Sequence, residues 1–142
     1  MRVSITRIDP SLPLPSYQSP GAPGFDFVCR TRETVAPGDL ARLPTNVIVR
    51  VPEGFVLVVS LRSGTPRSKG LLIPHGVGII DQDYCGPNDE ILVQVYNFSS
   101  VPVTIERGER IAQGLFVPIS RCEWREDDAP AYPSRGGFGS TG

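Results

Sequence analysis

The chain has 142 residues and a near-even balance of 14 Lys and Arg against 15 Asp and Glu, enough for one domain that buries roughly two-thirds of its unfolded surface. No basic stripe stands out, which argues against a nucleic-acid polymer as partner, and no run nears the ~18 apolar residues that suggest a membrane span. The N-terminus lacks a signal peptide's apolar core, and the widely spaced Cys29, Cys85 and Cys122 read as reduced thiols, so a cytoplasmic location is expected. One histidine and no Cys-x-x-Cys pair argue against a zinc site.

Glycine and proline, 15 of each, break the chain too often for a ten-residue helix. Between the breaks lie short β-branched or alternating runs at 3–5, 25–29, 46–51, 55–61, 76–80, 91–96, 101–105 and 111–118. Short strands with regular turn signals predict an all-β single domain, a sandwich or barrel. The runs 47–51 and 55–59, separated by Pro52-Glu53-Gly54, are expected to form a hairpin. The uninterrupted apolar stretch 55–59 is expected to be buried on both faces. Asp26, Arg62 and Asp81 fall at strand ends. From Asp127 the composition turns acidic, then Pro- and Gly/Ser-rich, which divides the chain into a folded part, 1–126, and a flexible C-terminal arm, 127–142.

Five segments carry chemistry. Gly24-Phe25-Asp26 sets a carboxylate beside a glycine. Arg62-Ser63-Gly64 offers a guanidinium fork, a hydroxyl and an open backbone N–H, a compact phosphate-binding set. Taken alone, such a tripeptide is usually an ordinary surface turn. Gly76-Val77-Gly78-Ile79-Ile80-Asp81-Gln82-Asp83-Tyr84-Cys85-Gly86 ends an apolar strand in carboxylates and a flat ring, with glycines where a ligand can approach the backbone. Gly108-Glu109-Arg110-Ile111-Ala112-Gln113 and the final Arg135-Gly136-Gly137-Phe138-Gly139-Ser140-Thr141-Gly142 complete the series.

In this order the five segments resemble the five motifs of the trimeric deoxyuridine triphosphate nucleotidohydrolases (dUTPases), and the likeness covers nearly the whole chain. It implies a distorted, jelly-roll-like β-barrel. It also implies hydrolysis of dUTP to dUMP and pyrophosphate with Mg²⁺, in a homotrimer whose sites are shared between subunits. Carried over residue by residue, Asp81 orients and deprotonates the attacking water, and Asp26 holds the metal through water. Positioning of this kind dominates phosphoryl chemistry. Arg62, Ser63, Gly64 and Gln113 contact phosphates. Tyr84 packs on the deoxyribose and excludes a 2′-hydroxyl. Backbone groups of Gly78 and Leu92 read the uracil in a hairpin flanking the loop, with Ile79 packing nearby. In the arm, Phe138 stacks on the base while Arg135, Ser140 and Thr141 reach phosphates.

Other positions are less directly assigned. His75 lies beside the base pocket, as a base contact or a packing residue. Asn97 is expected to be structural, and Arg110 to support the fold, for example through Asp83 of a neighbouring subunit. The chain departs from the family pattern at Leu61, at Thr65-Pro66, in an insertion at Pro87-Asn88-Asp89, and in a more compact fifth motif. Two rivals share the fold: a dCTP deaminase, alone or bifunctional, which needs a glutamate in the base pocket, and a silent nucleotide-binding regulator.

Overall fold

In chain order the strands are β1 (Ser4–Arg7), β2 (Phe25–Val28), β3 (Glu33–Val35), β4 (Leu40–Pro44), β5 (Val47–Arg50), β6 (Phe55–Leu61), β7 (Leu71–Leu72), β8 (Gly78–Ile80), β9 (Leu92–Asn97), β10 (Val103–Ile105) and β11 (Arg110–Pro118). One short helix, α1 (Thr65–Lys69), precedes β7. These assignments come from a computed structural model in which residues 1–137 are described. The architecture is the expected all-β, jelly-roll-like one. No helix among the described residues is long and apolar enough to cross a membrane.

The nine-residue β11 organises the largest sheet, whose order is β2-β11-β6-β8. Gln113 stands opposite both Asp26 of β2 and Ser60 of β6, so two motifs far apart in sequence meet across one ladder. The register shifts between Arg110 and Ala112, and Ile111 and Ala112 are consecutively buried there, as an extra residue in a bulge allows. A second sheet runs β4-β9-β7, and β1-β5 and β10-β3 form two-stranded ribbons. Phe25, Phe27, Leu57, Val59, Val93, Val95, Ile105 and Ile111 meet in the core between them.

Gly114 makes the closest approach in this core. A methyl there would stand 2.7 Å from Phe27 Cε2, 3.0 Å from Phe25 Cε2 and 3.1 Å from Leu57 Cδ1. Phe25 and Phe27 already meet edge to face at 5.3 Å between centroids, which leaves little slack. Gly114→Ala should therefore lower unfolding stability by about 1–3 kcal/mol, the usual cost of overpacking, and urea titration will read it. An unchanged midpoint would mean the rings rotate away freely.

Two expectations about the segment 47–59 fail. The runs 47–51 and 55–59 do not form a hairpin: β5 pairs with β1, whereas β6 lies between β11 and β8. The Pro52–Phe55 turn, closed by Phe55 N–H donating to the Pro52 carbonyl at 3.1 Å, hands the chain from one sheet to another. Nor is the stretch 55–59 buried on both faces. Only Leu57 and Val59 are buried, and Phe55, Val56 and Val58 are half-buried, because only one face of β6 meets the core. The sequence pattern also missed β3, β4, β7 and α1. Pro66 fits the first turn of α1, where a missing N–H is harmless. Gly70 ends it at φ 67°, the left-handed conformation that suits glycine.

Two buried polar centres fix the strand ends. Asn97 donates to the carbonyls of Val35 (2.9 Å) and Val101 (2.8 Å) and accepts from Ser99 N–H (2.9 Å) and Oγ (2.7 Å), the structural role expected of it. Glu90 forms a two-pronged pair with Arg30 (3.0 and 2.8 Å) and accepts the Asn46 backbone N–H at 2.7 Å. Its charge is thus compensated where burial alone would be costly.

Candidate active site

One cavity of about 530 Å³ gathers Asp26, Arg62, Ser63, Gly64 and Gln113. Asp26 projects from β2, Gln113 from the neighbouring β11, and Arg62-Ser63-Gly64 form the turn that leaves β6. Asp26 is 8% exposed. Its Oδ2 lies 3.3 Å from Arg62 Nε and accepts from Arg110 Nη1 at 3.3 Å. Such a buried carboxylate needs compensating charge, and the two guanidinium groups provide it. Arg110 Nη1 also donates to Gln18 Oε1 at 2.6 Å, and Gln113 Nε2 donates to the Leu61 carbonyl at 3.4 Å. Nothing stands within 4 Å of where a Gly64 Cβ would sit, so that backbone is open to a ligand.

The cavity edge carries a pair that the sequence did not flag. Lys69 Nζ lies 2.7 Å from Glu109 Oε1. Burial raises the Glu109 pKa, but the Lys69 hydrogen bond, the Glu106 backbone N–H and the nearby positive charge together bring it below the ordinary value. The Cys29 thiol, buried in the core, is pushed up to about 11, first by burial, and is thereby kept out of thiolate chemistry at neutral pH.

Asp81 lies elsewhere. With Gln82, Asp83, Phe55 and Ile119 it lines a separate cavity of about 510 Å³. Its loop is tied down: Gln82 Nε2 donates to the carbonyls of Pro52 and Phe55, both at 3.2 Å, and Tyr84 N–H donates to the Asp81 carbonyl at 3.4 Å. The Tyr84 hydroxyl donates to the Glu90 carbonyl at 3.0 Å. The turn Gly86–Asp89 closes on itself, with Gly86 N–H donating to Asp89 Oδ2 at 2.6 Å. Gly78 stands opposite Val59, while Ile79 and Leu92 are exposed. The expected β8–β9 hairpin is absent among the described residues: β8 pairs with β6, and β9 with β4 and β7. His75 is exposed beside Gly76, whose φ is 84°.

The separation follows from register. Ile80 stands opposite Leu57, so Asp81 is level with Val56, six residues along the chain from Arg62, which directly follows β6. At a strand rise of ~3.4 Å per residue that is about 20 Å. The two groups of residues thus sit apart, Asp26, Arg62, Ser63, Gly64 and Gln113 around one cavity and Asp81 at another, with Tyr84 in the same loop. Arg135 is exposed within residues 119–137, which contain no strand. Phe138, Ser140 and Thr141 lie outside the described residues.

A metal would find no cage here: among the described residues no three His, Cys, Asp or Glu side chains cluster to hold one. The single carboxylate of Asp26 fits a hard cation held mainly by phosphate oxygens and water, since Mg²⁺ needs only one or two protein carboxylates besides substrate phosphates.

A family model described as dUTPase matches residues 11–142. The deoxyuridine 5'-triphosphate nucleotidohydrolase of Thermobifida fusca (strain YX) is 38% identical over 145 residues, covering 100% of this chain and 79% of that protein. Its namesake from Shewanella sp. (strain ANA-3) is 35% identical over 147 residues, covering 100% and 95%. The crystal structure of dUTPase from Streptococcus mutans superposes with a TM-score of 0.78 at 32% identity, over 84% of this chain and 98% of that one. The Staphylococcus bacteriophage 80alpha dUTPase with dUPNHPP shares the fold, with a TM-score of 0.87 at 24% identity over 99% and 98%. With the Asp26, Arg62 and Gln113 segments meeting across the β2–β11–β6 ladder, a family model matching residues 11–142 and sequence relatives covering the whole chain, the chain belongs to the dUTPase family.

Proposed function

We propose that the chain hydrolyses dUTP to dUMP and pyrophosphate, using Mg²⁺, as a homotrimer with shared sites in the cytoplasm. The observation that carries this reading is the convergence of Asp26, Arg62, Ser63, Gly64 and Gln113 in one cavity, with Asp81 about 20 Å away along β6. A half-site rich in phosphate-binding groups and a half-site with a base and a sugar platform make one site only if a second copy supplies the missing half. The arm, residues 127–142, then closes over the nucleotide, with Phe138 on the uracil and Arg135, Ser140 and Thr141 at the phosphates. Low dUTP keeps uracil out of DNA, and dUMP supplies thymidylate synthesis.

The reaction asks little covalent work of the protein. Asp81 accepts a proton from water as the water oxygen bonds to the α-phosphorus, and the bond to the α,β-bridging oxygen breaks to release pyrophosphate. Arg62, Ser63, the Gly64 N–H and Gln113 hold the phosphates in line, and charge stabilisation by such fixed donors is the main catalytic term. Asp26 would hold a Mg²⁺ ion through water, and that ion, bound with the triphosphate, would neutralise part of its charge. Gly78, Ile79 and Leu92 form the wall against which the base lies, and Tyr84 lies against the sugar.

A deaminase reading needs a free glutamate near the base. Glu90, which follows the loop, is committed to Arg30 and Asn46, so hydrolysis is favoured. The test is parallel turnover of dUTP, dCTP, dTTP and UTP by wild type and Tyr84→Ala, with and without Mg²⁺. Wild type should release pyrophosphate from dUTP alone at a useful rate. Tyr84→Ala should narrow the dUTP-to-UTP ratio in kcat/KM at least tenfold, about 1.4 kcal/mol of lost discrimination. Ammonia from dCTP would establish the rival, and an unchanged ratio would remove Tyr84 from sugar selection.

A further inference from the structure

The geometry points to Arg110, held by Gln18, as the positioning residue that fixes the Asp26 carboxylate for the metal–nucleotide complex, an inference that rests on the hydrolase reading. Both arginines that approach Asp26 address the same oxygen. Arg62 Nε lies 3.3 Å from Oδ2, and Arg110 Nη1 donates to Oδ2 at 3.3 Å. No hydrogen bond engages Oδ1 among the described residues, and Asp26 lines the cavity. One oxygen is thus anchored while the other stays available to accept from a metal-bound water.

The two arginines are not equivalent. Arg62 belongs to the turn that presents Ser63 and Gly64, so binding a phosphate draws its guanidinium from Asp26. Arg110 sits on β11 directly across from Val28 of β2, and Gln18 Oε1 accepts from its Nη1 at 2.6 Å. Gln18 is itself held, its Nε2 donating to the Ser16 carbonyl at 3.2 Å and Ser16 Oγ at 2.9 Å. The same Ser16 carbonyl accepts the Asp26 backbone N–H at 2.9 Å. Gln18, Arg110 and Asp26 therefore close a ring through Ser16. This ring keeps the carboxylate paired with a cation after Arg62 turns to the substrate. A buried carboxylate that lost both partners would bear the cost of an unpaired charge.

The experiment measures affinity for a non-hydrolysable imido analogue of dUTP by calorimetry, with Mg²⁺ and with EDTA, alongside thermal melting of the full chain. Arg110→Ala and Gln18→Ala should weaken binding about tenfold with Mg²⁺, roughly the loss of one charge-assisted hydrogen bond. With EDTA the change should stay under about twofold, and the melting temperature should hold. In an Asp26→Asn background, Arg110→Ala should add nothing further, since the two residues act as a unit. Arg32→Ala, which breaks only an exposed pair with Glu106, serves as the neutral comparison. Equal losses with and without Mg²⁺ would show that Arg110 touches phosphate itself and would overturn the inference, as would losses that track melting temperature. A wild type that fails to bind the analogue would instead sink the hydrolase reading.

Discussion

Asp81→Asn should lower kcat on dUTP by about 10³-fold, within the usual range for losing a positioned general base, while affinity for the imido analogue stays within about twofold. Asn keeps the shape of the side chain and cannot take the proton. The fold should not suffer, because the loop is held by Gln82 to the Pro52 and Phe55 carbonyls and by Tyr84 to Glu90, none of which uses the Asp81 side chain. About 4 kcal/mol of transition-state stabilisation is at stake. Single-turnover kinetics with pyrophosphate release will separate chemistry from binding. A near-native kcat would remove Asp81 from the reaction and turn attention to Asp83, which lines the same cavity.

Deleting residues 135–142 should reduce kcat/KM at least a hundredfold without changing oligomer mass. Residues 119–137 are exposed and add no strand to any sheet, so no sheet of the barrel is built from them. The deletion removes the Phe138 ring, and alanine substitution of such a stacking ring typically costs ~1–3 kcal/mol per base. The charged contact of Arg135 goes with it. Phe138→Ala should reproduce part of the loss, and Phe138→Trp should keep most activity. An arm with no function predicts three fully active variants. A deletion that falls apart to monomers would assign the arm to assembly instead.

The barrel class and most strands were legible because glycine and proline mark their ends and β-branched residues fill them. β9 shows this well: Val93, Val95 and Asn97 point inward, alternating with more exposed residues. Pairing was not legible. Pro52-Glu53-Gly54 looks like a hairpin turn, yet which sheet each flanking strand joins is decided by β1 and β11, far away in sequence. β3 and β4 escaped notice because the half-buried Glu33 and the exposed Thr34 and Arg42 break the apolar pattern. In the site, Asp26, Arg62 and Gln113 could be singled out because their segments resemble the family's motifs in the same order. Gln18 could not, since it lies in a segment without periodicity, and its role depends on the Ser16–Asp26 bridge. The 20 Å gap between the half-sites depends on strand register, and register is a property of pairing that no single segment contains.

Glu90 serves two ends of the molecule at once. Its carboxylate locks Arg30 and the Asn46 backbone, and its carbonyl receives the Tyr84 hydroxyl. The ring proposed to reject ribose is therefore referenced to the barrel wall and not to the loop tip that carries it. If Tyr84 selects the sugar as proposed, selection and folding draw on the same anchor. A lineage selecting for broader sugar tolerance would find Tyr84 replaceable and Glu90 nearly immovable. On that proposal, the position of the selecting ring is inherited with the barrel itself.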